Sequence, residues 1–249
     1  SRGLGDVYKR QGDPYPRKIQ DCLDSWKKHL PSYEIILWDT KRFNIHEVPW
    51  VEQAFNTKKY AFAADYIRLY ALYHHGGIYL DSDVEILKSL DNFLELPYFV
   101  GAETSGTIEA AILGAEKGCD WIKCCLDYYE GRNFIREDGS YDIRMLPEIL
   151  NETILRLKPV INMPSGSNID DLKKKDLGEA VYVLPKEYFS PKVFDSREVF
   201  LTPETHAIHH YQNSWFSHKA FAYYRTRTLF IKIFGYKAVR SLEKMLLKR

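Results

Sequence analysis

The sequence predicts a layered α/β domain. Short apolar runs of strand length alternate with amphipathic or apolar segments of helix length, and Gly and Pro punctuate the boundaries between them. The chain has 249 residues, 45% of them hydrophobic and 28% charged. That length suits one large α/β domain or two small ones, with a core that needs neither disulfide nor metal to hold it. This composition excludes disordered, collagen-like and fibrous classes. Lys and Arg (35) nearly balance Asp and Glu (34), so the whole chain is no electrostatic trap for nucleic acid. Aromatic residues are abundant at 14%; flat amphipathic rings suit a sugar or a base, and suit a core equally well.

The elements follow in order. Gly12-Asp13-Pro14-Tyr15-Pro16 is a turn-rich entry. Ile19, Cys22, Leu23, Trp26 and Leu30 then recur at helical spacing over Arg17 to Leu30, and Pro31 stops the helix. Ile35-Ile36-Leu37-Trp38 is a continuous apolar run and is expected as a buried parallel strand. A short helix is expected over Val51 to Phe55 and a longer one over Lys59 to His74, ended by Gly76-Gly77. Ile78-Tyr79-Leu80 is the next strand, running into Asp81-Ser82-Asp83, after which Val84 to Leu87 resumes an extended pattern. Further strands are expected at Phe99 to Gly101, Ala110 to Leu113 and Val181 to Leu184, with helices over Trp121 to Tyr129 and Ile143 to Leu157. The polar stretches Glu130 to Asp142 and Pro164 to Glu179 are loop and lid candidates.

Cys22, Cys119, Cys124 and Cys125 have neither metal-ligand nor disulfide-framework spacing. Adjacent Cys124 and Cys125 in a helical stretch suit small buried hydrophobes, and the expected compartment is the reducing cytoplasm. No run of about 18 apolar residues is present to span a membrane. Ser1 to Gln11 shows neither apolar periodicity nor a targeting pattern and is expected to be a fragment start or a non-native extension.

Three groups of residues carry chemistry. Side chains at i and i+2 of a strand face the same way, so Asp81 and Asp83 can converge at a strand's carboxyl end, where open α/β sheets bind ligands. Two like charges held close persist when a cation or sugar hydroxyls engage them; a polar turn containing two Asp by chance is the plainer alternative. Asp65 and Arg68 lie three apart on one helix face. A surface ion pair there would contribute well under about 1 kcal/mol, but Ala63, Ala64, Tyr66, Ile67, Leu69, Ala71 and Leu72 surround it, and a buried pair is costly unless it faces a site. His209-His210-Tyr211-Gln212-Asn213-Ser214-Trp215, following a strand, offers imidazole and amide ligands that could complete a divalent-cation site begun by Asp83.

Together, Lys59 to Arg68 (with Ala-Ala-Asp-x2-Arg), the Gly-Gly-Ile-Tyr-Leu-Asp-Ser-Asp block and the terminal His-His-x3-Ser-Trp strongly resemble glycosyltransferase family 32. These are the DXD-containing sugar transferases of capsular-polysaccharide type, which also include Golgi initiating mannosyltransferases. The resemblance spans roughly Gly12 to Trp215, and the pairing of the two internal motifs is more specific than a bare DXD. It implies a GT-A fold, with a Rossmann-like mixed central sheet flanked by helices. The implied organisation is a catalytic domain over 12–215 and a basic aromatic helical tail over 216–249. Relatives place an apolar strand before the Gly-x-Pro-x-Pro turn, and Ser1 to Gln11 does not match it, so the chain is expected to lack about one strand.

Carried over position by position, the resemblance assigns Asp65, Arg68 and Asp81 as catalytic, with Asp65, Arg68, Tyr79, Asp81, Ser82 and Trp215 binding the donor. Asp83, His210 and Asn213 would ligate Mn²⁺ or Mg²⁺, with His209 competing for the imidazole position. The implied reaction moves a hexose from a UDP- or GDP-sugar to a glycan or lipid-linked acceptor hydroxyl with retention of configuration, in polysaccharide biosynthesis. No dedicated nucleophile is implied. Glu103 and Glu109 are acceptor-contact candidates.

Two other readings stand beside this one. Leu80-Asp81-Ser82-Asp83-Val84 loosely fits an aspartate-nucleophile phosphohydrolase, with Asp81 attacking phosphorus and Asn168-Ile169-Asp170-Asp171 imitating its downstream acids. An inactive nucleotide-sugar-binding fragment is the other. From Phe216 to Arg249, nine Lys and Arg face Glu243 alone, with Phe221, Tyr223, Tyr224, Phe230 and Phe234 interleaved. That pattern suits either a packed helix with a solvated basic face or an interfacial segment on anionic lipid. The expected location is therefore cytoplasmic, peripheral on the inner face of the membrane, with no nucleic-acid partner.

Overall fold

A computed structural model describes residues 2–4, 15–104, 106–193 and 198–211, and positions 226, 227, 230, 233 and 235 beyond them. In chain order, the strands and α-helices are β1 (Arg2–Leu4), α1 (Arg17–His29), β2 (Ile36–Leu37), α2 (Pro49–Asn56), α3 (Tyr60–His75), β3 (Gly77–Asp81) and β4 (Val84–Ile86). There follow β5 (Tyr98–Ala102), β6 (Ile108–Ala115), α4 (Asp120–Asp127), α5 (Leu146–Leu157), β7 (Val160–Asn162), α6 (Ile169–Lys173), β8 (Val181–Val183) and β9 (Ala207–His209).

The central sheet runs β2-β1-β3-β6-β5. β1 is parallel to both β2 and β3, whereas β3–β6 and β6–β5 are antiparallel. This is the mixed α/β sheet flanked by helices that the resemblance implies. β4 and β9 form a separate antiparallel pair, and β7 lies parallel to β8.

One expectation is corrected at once. Ser1 to Gln11, expected as a fragment start or a non-native extension, is expected to leave the sheet a strand short, yet Arg2–Leu4 pairs along β3 with Arg2 opposite Tyr79 and Leu4 opposite Asp81. Two parallel neighbours offer complete rows of backbone N–H and C=O groups, and filling that slot requires no apolar run. β2 is corrected too. Its pairing is parallel, but Leu37 and the neighbouring Ile35 are exposed, because the strand sits at the sheet edge.

The alternation along β3 sorts the core into two layers. Ile78 and Leu80 pack with Trp26, Val84, Phe99 and Ile112 on the α1 side. Tyr79 packs with Ile67, Leu72, Leu113, Trp121 and Leu150 on the side of α3, α4 and α5. Trp26 is 2% exposed and its indole N–H donates to the Val84 carbonyl at 2.7 Å, so α1 fixes the start of β4 as well as filling space. The abundant aromatic residues serve this core. Trp50 meets Tyr129 and Phe134 edge-on at 5.1 and 5.2 Å, and Phe93, Phe99 and Phe189 form a second nest. All four cysteines are free thiols.

α3 ends where Gly76 turns to φ +64° and its N–H bonds the Leu72 carbonyl at 2.8 Å. A Cβ at Gly76 would lie 2.7 Å from the Lys117 nitrogen, so glycine is required twice over, for conformation and for space. This sharp exit launches β3 directly off α3 and sets their side chains face to face. Of the two loop candidates, 130–142 is pinned by a bridge between Ile135 and Tyr141 and by Phe134 stacked on Tyr141 at 5.4 Å. The stretch 164–179 contains α6, whose capping box is built by Asn168 and Asp171. The acidic pair that imitates a phosphohydrolase motif therefore starts a helix.

Candidate active site

The site grows from the parity of β3. Tyr79 and Asp81 share the face that looks at α3, where Arg68 stands. Arg68 is 6% exposed and saturated with partners. Its Nη2 lies 3.0 Å from Asp65 Oδ1 and its Nη1 3.5 Å from Asp81 Oδ1. Nη1 also donates to the Ala110 carbonyl of β6 at 2.7 Å, and the guanidinium sits over the Tyr79 ring at 4.6 Å. Tyr79 donates its hydroxyl to Asp81 Oδ1. One cation thus ties two carboxylates, an aromatic face and a neighbouring strand.

Burial pushes the Asp65 carboxyl up to about 7, against the attraction of Arg68 and with the help of Asp81. Burial likewise lifts Asp81 to about 6, Arg68 opposing and Asp83 reinforcing. Both carboxyls are held near neutrality although a guanidinium touches them, because desolvation outweighs it.

On the far side of Asp81, Asp83 meets an imidazole. It belongs to His209, whose Nε2 lies 3.5 Å from Asp83 Oδ1. Asp81, Asp83 and His209 each present a ligand atom within 4.8 Å of the others. His210, expected there as the metal ligand, is directed elsewhere, and the expectation is corrected. Successive residues at a strand end point to opposite sides, and His210 Nε2 faces Glu85 Oε2 at 2.7 Å, with Lys192 Nζ 3.4 Å from its Nδ1. Burial lowers the His210 pKa, which Glu85 only partly offsets. The His210 N–H bonds the Asp83 carbonyl at 3.0 Å, so this residue docks β9 beside the acidic turn through its backbone. Asn213 and Trp215 lie outside the described residues, as does nearly all of 216–249. Ser82 is buried between the two aspartates.

His209 has a second partner. Its Nδ1 lies 3.1 Å from Glu109 Oε2 in β6. Burial would lower the His209 pKa, but Glu109 and Asp83 dominate and raise it to about 9. Glu109, conversely, is drawn down to about 2 despite burial, by His209, Ser190 and the Ala111 N–H. Glu109 is therefore not an exposed acceptor contact; it is 3% exposed beneath the imidazole. A lone acid inside the apolar run Ile108 to Ile112 is the sequence signal that marks it. For His209, the signal is parity with Tyr211, whose ring centroid lies 4.0 Å away.

The residues present fit a divalent cation. Four carboxylates (Asp65, Asp81, Asp83 and Glu109) face one guanidinium and one imidazole, and two carboxylates plus one imidazole form a hard, mixed O/N donor set suited to Mn²⁺ or Mg²⁺.

This cluster lies at the carboxyl end of β3 in the mixed α/β sheet. Residues 16–100 match the glycosyltransferase sugar-binding region containing the DXD motif. Among particular relatives, the chain is 34% identical over 103 residues to inositol phosphoceramide mannosyltransferase 3 of Schizosaccharomyces pombe, a match covering 40% of this chain and 28% of that one. It is 33% identical over 118 residues to the mannosyl phosphorylinositol ceramide synthase SUR1 of Saccharomyces cerevisiae, covering 45% and 30%. An uncharacterized glycosyltransferase of Acanthamoeba polyphaga mimivirus is 31% identical over 133 residues, 51% of this chain and 53% of its own. The matches thus span less than a third of the length of the two yeast relatives. Among solved structures, the PaToxG glycosyltransferase aligns with a TM-score of 0.46 and 17% identity over 63% of this chain and 67% of that chain.

Proposed function

We propose that this protein is a metal-dependent glycosyltransferase that moves a hexose from a nucleoside diphosphate sugar to a hydroxyl of a glycan or lipid-linked acceptor, with retention of anomeric configuration. The observation that carries the proposal is the convergence of Asp65 and Arg68 from α3, Asp81 and Asp83 from the end of β3, and His209 from β9 in one cluster.

Asp81, Asp83 and His209 would hold the cation, which would supply Lewis-acid stabilisation of negative charge on a diphosphate leaving group. Arg68 adds a fixed positive charge whose hydrogen bonds to Asp65 and to the Ala110 carbonyl leave it no rotamer search when negative charge develops nearby. Asp65 and Asp81, on opposite sides of that guanidinium, orient sugar hydroxyls and face positive charge building at the anomeric carbon. No side chain is assigned as a nucleophile. The relatives named as inositol phosphoceramide mannosyltransferases make a mannosyl donor and a lipid-linked acceptor the first pair to try, with polysaccharide acceptors second. Membrane contact rests on the sequence of 216–249; no helix among the described residues is long and apolar enough to cross a membrane.

The phosphohydrolase reading needs Asp81 free to attack phosphorus. Its Oδ1 is instead bonded by Tyr79 and paired with Arg68. The test is Mn²⁺-dependent turnover of a panel of UDP- and GDP-hexoses, with and without acceptor. Hexose release or transfer that EDTA stops and Mn²⁺ restores supports the proposal. Phosphate released from phosphomonoesters with no nucleotide sugar consumed would replace it with the hydrolase. Donor binding without turnover would replace it with a binding module.

A further inference from the structure

We propose that Glu109 is a positioning residue that holds the His209 ring with its proton on Nδ1, so that the Nε2 lone pair is presented to a divalent cation between Asp81 and Asp83. The inference rests on the metal-site reading above and adds a residue outside the ligand set.

Glu109 is the second residue of β6, the longest strand of the sheet, with its side chain 4% exposed. Both oxygens are spoken for. Oε1 accepts the Ala111 N–H at 2.9 Å. Oε2 accepts the Ser190 hydroxyl at 2.6 Å and the Tyr211 hydroxyl at 3.3 Å, and lies 3.1 Å from His209 Nδ1. An ionised carboxylate has acceptors only, so the proton between it and His209 belongs to Nδ1. The Tyr211 ring, 4.0 Å from the imidazole, limits rotation. The other ring nitrogen then has one direction left to face, and Asp83 Oδ1 stands there at 3.5 Å; a cation bound there would displace to solvent the proton that Nε2 otherwise directs at Asp83. A carboxylate behind a ligating histidine fixes the tautomer and raises the basicity of the ligating nitrogen. β6 performs the neighbouring task as well, since the carbonyl of the next residue, Ala110, fixes Arg68.

The informative substitution is Glu109→Gln. The glutamine must turn Oε1 to the Ala111 N–H, which leaves its NH₂ toward Ser190, Tyr211 and His209. Hydroxyls can rotate to accept, so the packing survives. Nδ1 can accept only by giving up its proton, and the ring proton then moves to Nε2, facing the aspartates. A purely structural Glu109 predicts no such exchange.

Mn²⁺ binding to the full chain is measured by loss of the free-ion EPR signal, with and without UDP or GDP. Imidazole ¹⁵N shifts of ¹⁵N-histidine-labelled protein in Mg²⁺ give the tautomer, with His209→Ala identifying the resonance. The expected result is Mn²⁺ affinity weakened roughly 10- to 100-fold in Glu109→Gln, with Nδ1 protonated in the wild type and Nε2 protonated in the variant. The melting temperature in EDTA should fall with loss of the buried Glu109–His209 pair, so affinities are compared at a temperature where both proteins are folded. Mn²⁺ affinity within twofold of wild type in Glu109→Gln, or in His209→Ala, would overturn the inference while leaving a metal site in place. Failure of the wild type to bind Mn²⁺, even with a nucleoside diphosphate, would overturn the metal-site reading itself and this inference with it. If Glu109→Gln does not fold, Glu109→Asp carries the test. It withdraws the carboxylate from Nδ1 by one methylene, and wild-type Mn²⁺ affinity there would equally overturn the inference.

Discussion

Replacing Arg68 by Met tests whether a single buried guanidinium organises the donor side of the site. Met keeps the length and apolar bulk of the stem but removes the charge that Asp65 at 3.0 Å and Asp81 at 3.5 Å share. The two carboxyls already sit at about 7 and about 6 because burial outweighs the attraction of Arg68. Without it, both should be protonated at neutral pH, and the Ala110 carbonyl would lose its 2.7 Å donor. Removing one partner from a buried ion pair costs about 3–5 kcal/mol. In a chain of this size each kcal/mol moves Tm by roughly 2–4 °C, so the melting transition should fall by about 10 °C. Calorimetry of wild type, Arg68→Met, Asp65→Asn and the double variant gives the coupling directly. Asp65→Asn in the Arg68→Met background should cost much less than in the wild type, since a protonated Asp65 has no charge left to lose. A single variant within about 1 kcal/mol of wild type, or strict additivity across the cycle, would refute the argument that this pair is desolvated and coupled.

Three further outcomes follow from the same geometry. Asp83→Asn should cut Mn²⁺-dependent donor turnover by roughly 10²-fold or more, while His210→Gln, whose ring faces Glu85, should cost far less; equal losses in a turnover assay would reverse the assignment of the two histidines. Burial lowers the pKa of His206, stacked on Tyr188, from its ordinary 6.5, so the folded state resists its protonation. Its contribution is present above about 6.5 and is lost as pH falls through the lower folded value, and in chemical denaturation wild type should lose stability more steeply than His206→Phe between about pH 7 and 5. Parallel curves would remove that argument. Gly114→Ala should destabilise by about 1–3 kcal/mol, because a Cβ there would lie 2.0 Å from the Phe99 ring in the sheet; an unchanged denaturation midpoint would show that Phe99 moves aside freely.

Much of this molecule can be read locally. Period-3.6 apolar spacing marks α1, Gly76-Gly77 marks the end of α3, and the alternation Ile78-Tyr79-Leu80-Asp81 already places Tyr79 and Asp81 on one face. Spacing of three on a helix pairs Asp65 with Arg68. These relations span one turn or one strand, where backbone geometry alone dictates which side chains are neighbours. Whether the Asp65–Arg68 pair faces solvent or a site, which imidazole meets Asp83, and why an acid lies inside β6 are decided by contacts across 13, 126 and 100 positions of chain. Here His209 and His210 are chemically identical neighbours, and only the docking of β9 against β4 turns one toward Asp83 and the other toward Glu85. The pairing of β1 is equally non-local: three residues with no apolar run become a central strand because β2 and β3 leave matched backbone groups on either side. Residue type and short-range periodicity determine the pieces and which atoms can do chemistry; the choice among equivalent atoms is made by burial and strand docking, whose energies exist only once distant segments meet.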